Sequence, residues 1–182
     1  GDEARRWGAP FAGDFSAVFP AINRHKEAML IDLKSEEGAE VARRLIERAD
    51  VVVDNFLPAQ KESLQFAPRE INPRVVHCTI AGFDSDTDDA NTPGYDLLAQ
   101  AGSGLMSITG DADGEPMKIG VALADVLTAH YAFGAICAAL HAGEGASIEG
   151  SLCSATIASL VNVAQNVLVT GKEAERSGNA QP

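Results

Sequence analysis

The sequence predicts an α/β fold built on an open parallel sheet with flanking helices. Two observations carry this expectation. Short runs that read as strands recur at 29–33, 51–56 and 74–83, the last two rich in β-branched residues. A run of helical periodicity separates the first two, and short helical pieces separate the second from the third, all over short links. Strand, helix and strand in alternation over such links favours parallel pairing.

The elements follow in order. "MLIDL" (29–33) reads as a short strand. "SEEGAEVARRLIERAD" (35–50) reads as a helix with Ser35 as N-cap. Its apolar stripe is Val41, Leu45 and Ile46, set against Arg43, Arg44 and Glu47. "VVVDNF" (51–56) is a buried strand that ends in polar residues. "KESLQF" and "PREINP" read as short helical pieces broken by Pro68 and Pro73. "RVVHCTIAGF" (74–83) is the next strand. "DSDTDDANTPG" (84–94) reads as a solvated polar loop. It lacks the mid-loop glycine and terminal glutamate of a calcium loop. A stretch rich in small residues then leads to the long apolar helical run that Asp125 heads. "SIEGSLCSATIASLVNVAQNVLVTG" (147–171) predicts a short strand and then a helix ending at Gly171. The uncharged run 155–169 is too apolar for a solvated face and predicts association.

Composition bounds the function. With 46% hydrophobic and 22% charged residues in 182, the chain has the make-up of a folded domain with a sizeable core. A net charge of −12 argues against nucleic-acid binding, though a local basic cluster still admits an anionic ligand. No apolar run reaches membrane-spanning length without a polar interruption, so no membrane is expected. Cys78, Cys137 and Cys153 lack CxxC spacing and read as small buried hydrophobes of a reducing, cytoplasmic compartment. His25, His77, His130 and His141 show no paired metal spacing, and neither a phosphate-binding nor a dinucleotide motif is present. No metal is expected.

A few residues are candidates for chemistry, each with an ordinary alternative. Asp125 is either the N-cap of the apolar helix or an ionised carboxylate held by the helix dipole. Small neighbours at Gly120, Ala122 and Ala124 leave room for a ligand, and a fixed ionised carboxylate is what a carboxylate nucleophile requires. "AINRHK" (21–26) is either a solvated turn or a phosphate contact through Arg24 or Lys26. Asn55 and Phe56 stand at the C-terminal end of a predicted parallel strand, where open α/β sheets bind ligands. Asn in such a turn is also ordinary. Tyr95 is by default a half-buried tyrosine with a polar handle.

Six stretches together carry more than any one alone. "GDEARRWGAPF", "INRHK…IDLKSEEG", "ADVVVDNFLP", "INPRVVHCTIAGF", "PGYDLLAQAGSGLMSITGDADGEPMKIGVALADV" and "RSGNAQP" occur in this order across nearly the whole chain. In sequence and order they resemble the family III CoA-transferases, a group that includes formyl-CoA transferase, carnitine CoA-transferase and the α-methylacyl-CoA racemases. The resemblance implies part of the family's large domain, a Rossmann-like sheet, with the small domain and the first strand absent. It implies that Asp125 attacks an acyl-CoA thioester to form an anhydride. An aspartyl-CoA thioester follows, and then an acceptor carboxylate. It further implies acyl-CoA as substrate with no tightly bound cofactor, contacts to CoA around Asn23, Arg24, Lys26, Asn55, Phe56 and Leu57, and a homodimer or higher homo-oligomer. The racemase branch has a histidine where Tyr95 stands. A tyrosine is a poor base at neutral pH, so the chain resembles the transferase branch, where the matching tyrosine lines the CoA or acyl site. Ser63 falls where formyl-CoA transferase has a CoA-contacting arginine. The alternative is a CoA-binding or interaction module that kept the fold without the reaction.

Overall fold

The structure is a computed structural model and describes residues 2–8 and 10–180. The chain forms two compact units, residues 1–42 and 43–182.

In the first unit Asp2 caps a 3-10 turn, Glu3–Arg6, by accepting the Ala4 N–H at 2.9 Å. A two-residue hairpin follows, β1 (Phe11–Ala12) paired antiparallel with β2 (Phe15–Ser16). The Ser16 hydroxyl donates to the buried Ala4 carbonyl. The helix α1 (Val18–Ile22) stacks Phe19 on Phe15, and the Arg5 guanidinium lies 4.0 Å from the Phe19 ring centre. The predicted strand at 29–33 does not form. Residues 26–32 are irregular, and Leu30 is 91% exposed. A strand exists only where a neighbour takes its N–H and C=O groups, and no described strand pairs with this run. The predicted helix does form, as α2 (Glu36–Arg48). Ser35 caps it, its hydroxyl accepting the Gly38 N–H at 3.0 Å. Of the predicted stripe only Ile46 is buried, while Val41 and Leu45 remain exposed.

The second unit is built on three parallel strands, β3 (Val51–Asp54), β4 (Val76–Ala81) and β5 (Ala146–Ser151), with β4 in the centre. Two lie within the predicted runs at 51–56 and 74–83, and the third falls on the expected strand at 147. Val75, Val76 and Cys78 are buried, as befits a central parallel strand. Between β3 and β4 run α3 (Pro58–Leu64) and α4 (Pro68–Ile71). Pro68 starts α4 rather than breaking a helix, because a first-turn position needs no N–H. The Asn72 amide closes this crossover by donating to the Ile46 and Ala49 carbonyls.

After β4 the chain passes the acidic loop, α5 (Asp96–Gly102) and a 3-10 turn, Met106–Ile108, and enters α6 (Leu123–Ala142). The acidic loop is not all solvated surface. Asp84 accepts hydrogen bonds from Ser151 and Ser154, and Glu149 receives the Ser85 N–H and hydroxyl. Twenty residues make α6 about five and a half turns long. By length and composition alone it could cross a bilayer, but its buried positions Ala124, Thr128 and Ala132 recur every fourth residue and face the sheet. Gly150 of β5 allows the close approach, since a Cβ there would meet Thr128 Cγ2 at 3.2 Å and Ala132 Cβ at 3.8 Å. The outer positions Val126, Tyr131 and Phe133 are exposed. So is Cys137, against the expectation that all three cysteines are buried. A three-residue link, 143–145, returns the chain to β5. The predicted last helix is two helices, α7 (Leu152–Ser159) and α8 (Val161–Thr170), bent by 81°.

One contact fixes where α5 starts. Gly82, at the end of β4, and Gly94, just before α5, cross backbone to backbone. A Cβ on Gly94 would lie 2.1 Å from the Gly82 Cα. No side-chain rearrangement relieves a clash between two backbones. Gly94→Ala should therefore destabilise the fold by about 1–3 kcal/mol, the usual cost of overpacking. Chemical denaturation of the variant beside wild type measures this.

Candidate functional site

Two groups of polar side chains stand out in the second unit. The first surrounds Asp54, the last residue of β3, whose side chain is buried. Its carboxylate meets His77 Nε2 at 2.6 Å, Lys61 Nζ at 3.2 Å and the Thr79 hydroxyl at 3.2 Å. Lys61 also donates to Thr79. Alternation along β4 brings His77 and Thr79 to the same face as their β3 neighbour, two residues apart. The same carboxylate accepts the Phe56 N–H at 3.0 Å, and the Leu57 N–H donates to Gln60. Asn55, Phe56 and Leu57 therefore form a turn whose backbone is tied at two points. Phe56 packs edge-on against Phe66, which in turn meets the His77 ring. Burial, followed by the Asp54 charge, pushes the Cys78 thiol up. Burial, followed by Asp84 and Asp89, does the same at Cys153. Neither is an activated nucleophile.

The second group surrounds Asp125. The sequence left its place open between N-cap and nucleophile, and the structure corrects the first. Ala122 is the cap residue, and its side chain makes no capping bond. Asp125 is the third residue of the first turn. The cap comes from elsewhere in the chain, because Asp96, the first residue of α5, accepts the Ala124 N–H at 2.7 Å. The other Asp96 oxygen receives Gln100 Nε2 at 2.6 Å. Gln100, fully buried, also donates to the Val121 carbonyl at 3.3 Å and accepts the Ile119 N–H at 2.8 Å. Gly120, in the segment before α6, faces open space, since a Cβ there would meet nothing within 4 Å. Tyr95, which precedes Asp96, is 68% exposed rather than half-buried.

The electrostatics of Asp125 also differ from expectation. A helix N-terminus favours a negative charge by about 0.3–1 kcal/mol. Here burial, followed by the nearby Asp96 charge, outweighs it and raises the Asp125 carboxyl above its ordinary range. Asp125 is exposed by surface area, yet enough protein crowds it to displace part of its hydration.

The other predicted contacts, Asn23, Arg24 and Lys26, belong to the first unit. Asn23 ends α1, donates to Asp2 at 2.6 Å and accepts from Lys26 Nζ at 3.0 Å. Arg24 and Lys26 are exposed. The hydrogen bonds to Asp2 from Ala4 N–H and Asn23, with the Lys26 and Arg5 charges, lower its carboxyl. Sequence reasoning missed Asp54, His77, Asp96 and Gln100. Asp54 and Asp96 each adjoin a residue it did single out, and Gln100 is an amide among small apolar residues.

Comparison with known proteins decides the family. The model of CoA-transferase family III matches residues 1–182. The chain belongs to this family. It is 42% identical over 195 residues to a succinate–glutarate CoA-transferase of Agrobacterium fabrum, which covers all of this chain and 49% of the relative. It is 36% identical over 187 residues to the human succinyl-CoA:glutarate CoA-transferase, covering 99% of this chain and 43% of that protein. The crystal structure of a CAIB/BAIF family protein from Brucella suis superposes with a TM-score of 0.91 at 39% identity, over 100% of this chain and 51% of the other. The chain thus spans about half the length of these family III proteins. The parallel sheet with flanking helices is the family fold.

The raised Asp125 carboxyl has a consequence for stability. A carboxyl that titrates higher when folded binds its proton more tightly in the folded state. Ionising it therefore costs stability. The cost is absent below the unfolded-state titration and complete above the folded one. Asp125→Asn should accordingly be more stable than wild type at neutral pH. The difference should close as pH falls through the Asp125 titration. Thermal midpoints of both proteins from about pH 8 down to about pH 3 read this out.

Proposed function

We propose that the full-length protein transfers coenzyme A from an acyl-CoA donor to a carboxylic acid, with Asp125 as the covalent nucleophile. The position of Asp125 carries this reading: an accessible carboxylate in the first turn of α6, in a family III chain. In the reaction a carboxylate oxygen of Asp125 attacks the thioester carbonyl. The C–S bond breaks, CoA leaves as thiolate, and a mixed anhydride forms. The thiolate then attacks the aspartyl carbonyl, releasing the donor acid and leaving an aspartyl-CoA thioester. The acceptor carboxylate displaces the thiolate to form a second anhydride. The thiolate takes the new acyl group and regenerates Asp125. Each step exchanges one acyl–heteroatom bond for another, so one difficult transfer becomes several easier ones. All of it runs on the aspartate and the substrate's own thiol. A partly dehydrated, more basic carboxylate is a better nucleophile than a free one.

Asn55, Phe56, Leu57 and Tyr95 are the proposed CoA and acyl contacts of the second unit. Asn23, Arg24 and Lys26 are those of the first, with the two cations suited to phosphate. The acceptor class we propose is a short dicarboxylate. Relatives that match this chain are named for succinate and glutarate, and others for oxalate and mesaconate. The working state we propose is a homo-oligomer. Phe133, Val161, Leu168 and Val169 are each more than two-thirds exposed, uncharged side chains suited to burial against a second copy.

Two measurements test this. Full-length protein incubated with succinyl-CoA and hydroxylamine should yield a hydroxamate on Asp125 by peptide mass spectrometry, and Asp125→Asn should yield none and lose transfer activity. Full activity in the Asp125→Asn enzyme sinks the nucleophile. Sedimentation velocity should give an oligomer whose mass is at least twice that of the chain. A compact monomer with no concentration dependence sinks the association.

A further inference from the structure

We infer that Gln100 and Asp96 are positioning residues for Asp125, forming a clamp that fixes the segment 119–124 from which the carboxylate is presented. The inference rests on the reading of Asp125 as nucleophile. Gln100 has no exposed surface, and its amide binds three partners: the Ile119 N–H, the Val121 carbonyl and Asp96. Asp96 then reaches the Ala124 N–H. The bonds run Ile119 to Gln100 to Asp96 to Ala124, so they join the two ends of the segment immediately before Asp125. Gly120 and Ala122 within it carry too little side chain to fix the backbone by packing.

A buried amide is not what packing alone would select at position 100. Its neighbours on α5 are Ala99 and Ala101, and an apolar side chain of equal length would fill the same volume but leave the Ile119 N–H and the Val121 carbonyl without this partner. What the amide adds is direction. It donates to the one Asp96 oxygen that does not bond Ala124, which leaves the other aimed at the start of α6. A nucleophile must hold its oxygen within a fraction of an ångström of the attack distance, and a shift of about 1 Å costs about 100-fold in rate. Asp96 also sets the charge beside Asp125.

The test uses two variants of the full-length protein, Gln100→Met and Asp96→Asn. Both are near-isosteric, so a folding failure in one leaves the other to decide. In Gln100→Met we expect about 10- to 100-fold slower trapping of the Asp125 hydroxamate with succinyl-CoA, at a KM within about threefold of wild type. Amide hydrogen exchange at Ile119 and Ala124 should quicken in both variants. In Asp96→Asn the Asp125 carboxyl, followed by NMR, should titrate lower than in wild type. A loss of rate carried by KM, or wild-type trapping together with unchanged exchange, overturns the clamp. If wild type gives no Asp125 adduct, the nucleophile reading falls by itself. The exchange and titration arms then still decide whether Gln100 and Asp96 hold this segment.

Discussion

The hydrogen bond from the Ala124 N–H to the Asp96 carboxylate is the contact on which the geometry around Asp125 rests. The first turn of any helix leaves N–H groups without partners, and at α6 the residue in the cap position is an alanine. A carboxylate from the start of another helix supplies the bond. The start of α6 is thereby tied to the start of α5, and α5 in turn starts where the Gly82–Gly94 backbone crossing leaves it. Further along, α6 is seated by Thr128 and Ala132 under Gly150. Asp125 therefore inherits its place from β4, β5 and α5 together, with little left to local preference.

This arrangement sets two carboxylates near one helix end. Burial, and after it that repulsion, outweigh the N-terminal dipole, so Asp125 ionises at a cost. Asp54 shows the opposite solution on the same sheet. It is more deeply buried, but a lysine, a histidine and a hydroxyl surround it. One carboxylate is satisfied and serves as a structural anchor for the turn at 55–57. The other is left under-compensated, its carboxyl raised by burial and by the Asp96 charge.

Much of the fold could be read from periodicity. β3, β4, the Ser35 cap and the helix behind Asp125 all announce themselves within a window of about ten residues. What escaped has non-local causes. The run at 29–33 has the composition of a strand, but composition does not provide a pairing partner. Pro68 reads equally as a breaker or as a first-turn residue until its neighbours are known. The cap of α6 was misassigned because the local rule names the nearest Asp, whereas the bond is made by Asp96 from another helix. A place at the head of an apolar run pointed to Asp125, and the family resemblance gave it a role, but no rule of spacing led to Gln100.

The amide and the two carboxylates also explain why so small a stretch mixes residues that a core would otherwise exclude. Gln100, Ser103 and Thr128 are all buried around an apolar centre of Ala99, Ala124 and Leu152. Ser103 and Thr128 return their hydroxyls to carbonyls of their own helices and cost the core little. Gln100 does not. Two of its three bonds leave its helix for the chain just before Asp125, and the third holds Asp96, which bonds the start of α6. A polar group spent on an external backbone segment, where an apolar one would pack as well, is a sign that the position of that segment matters more than the stability of the core.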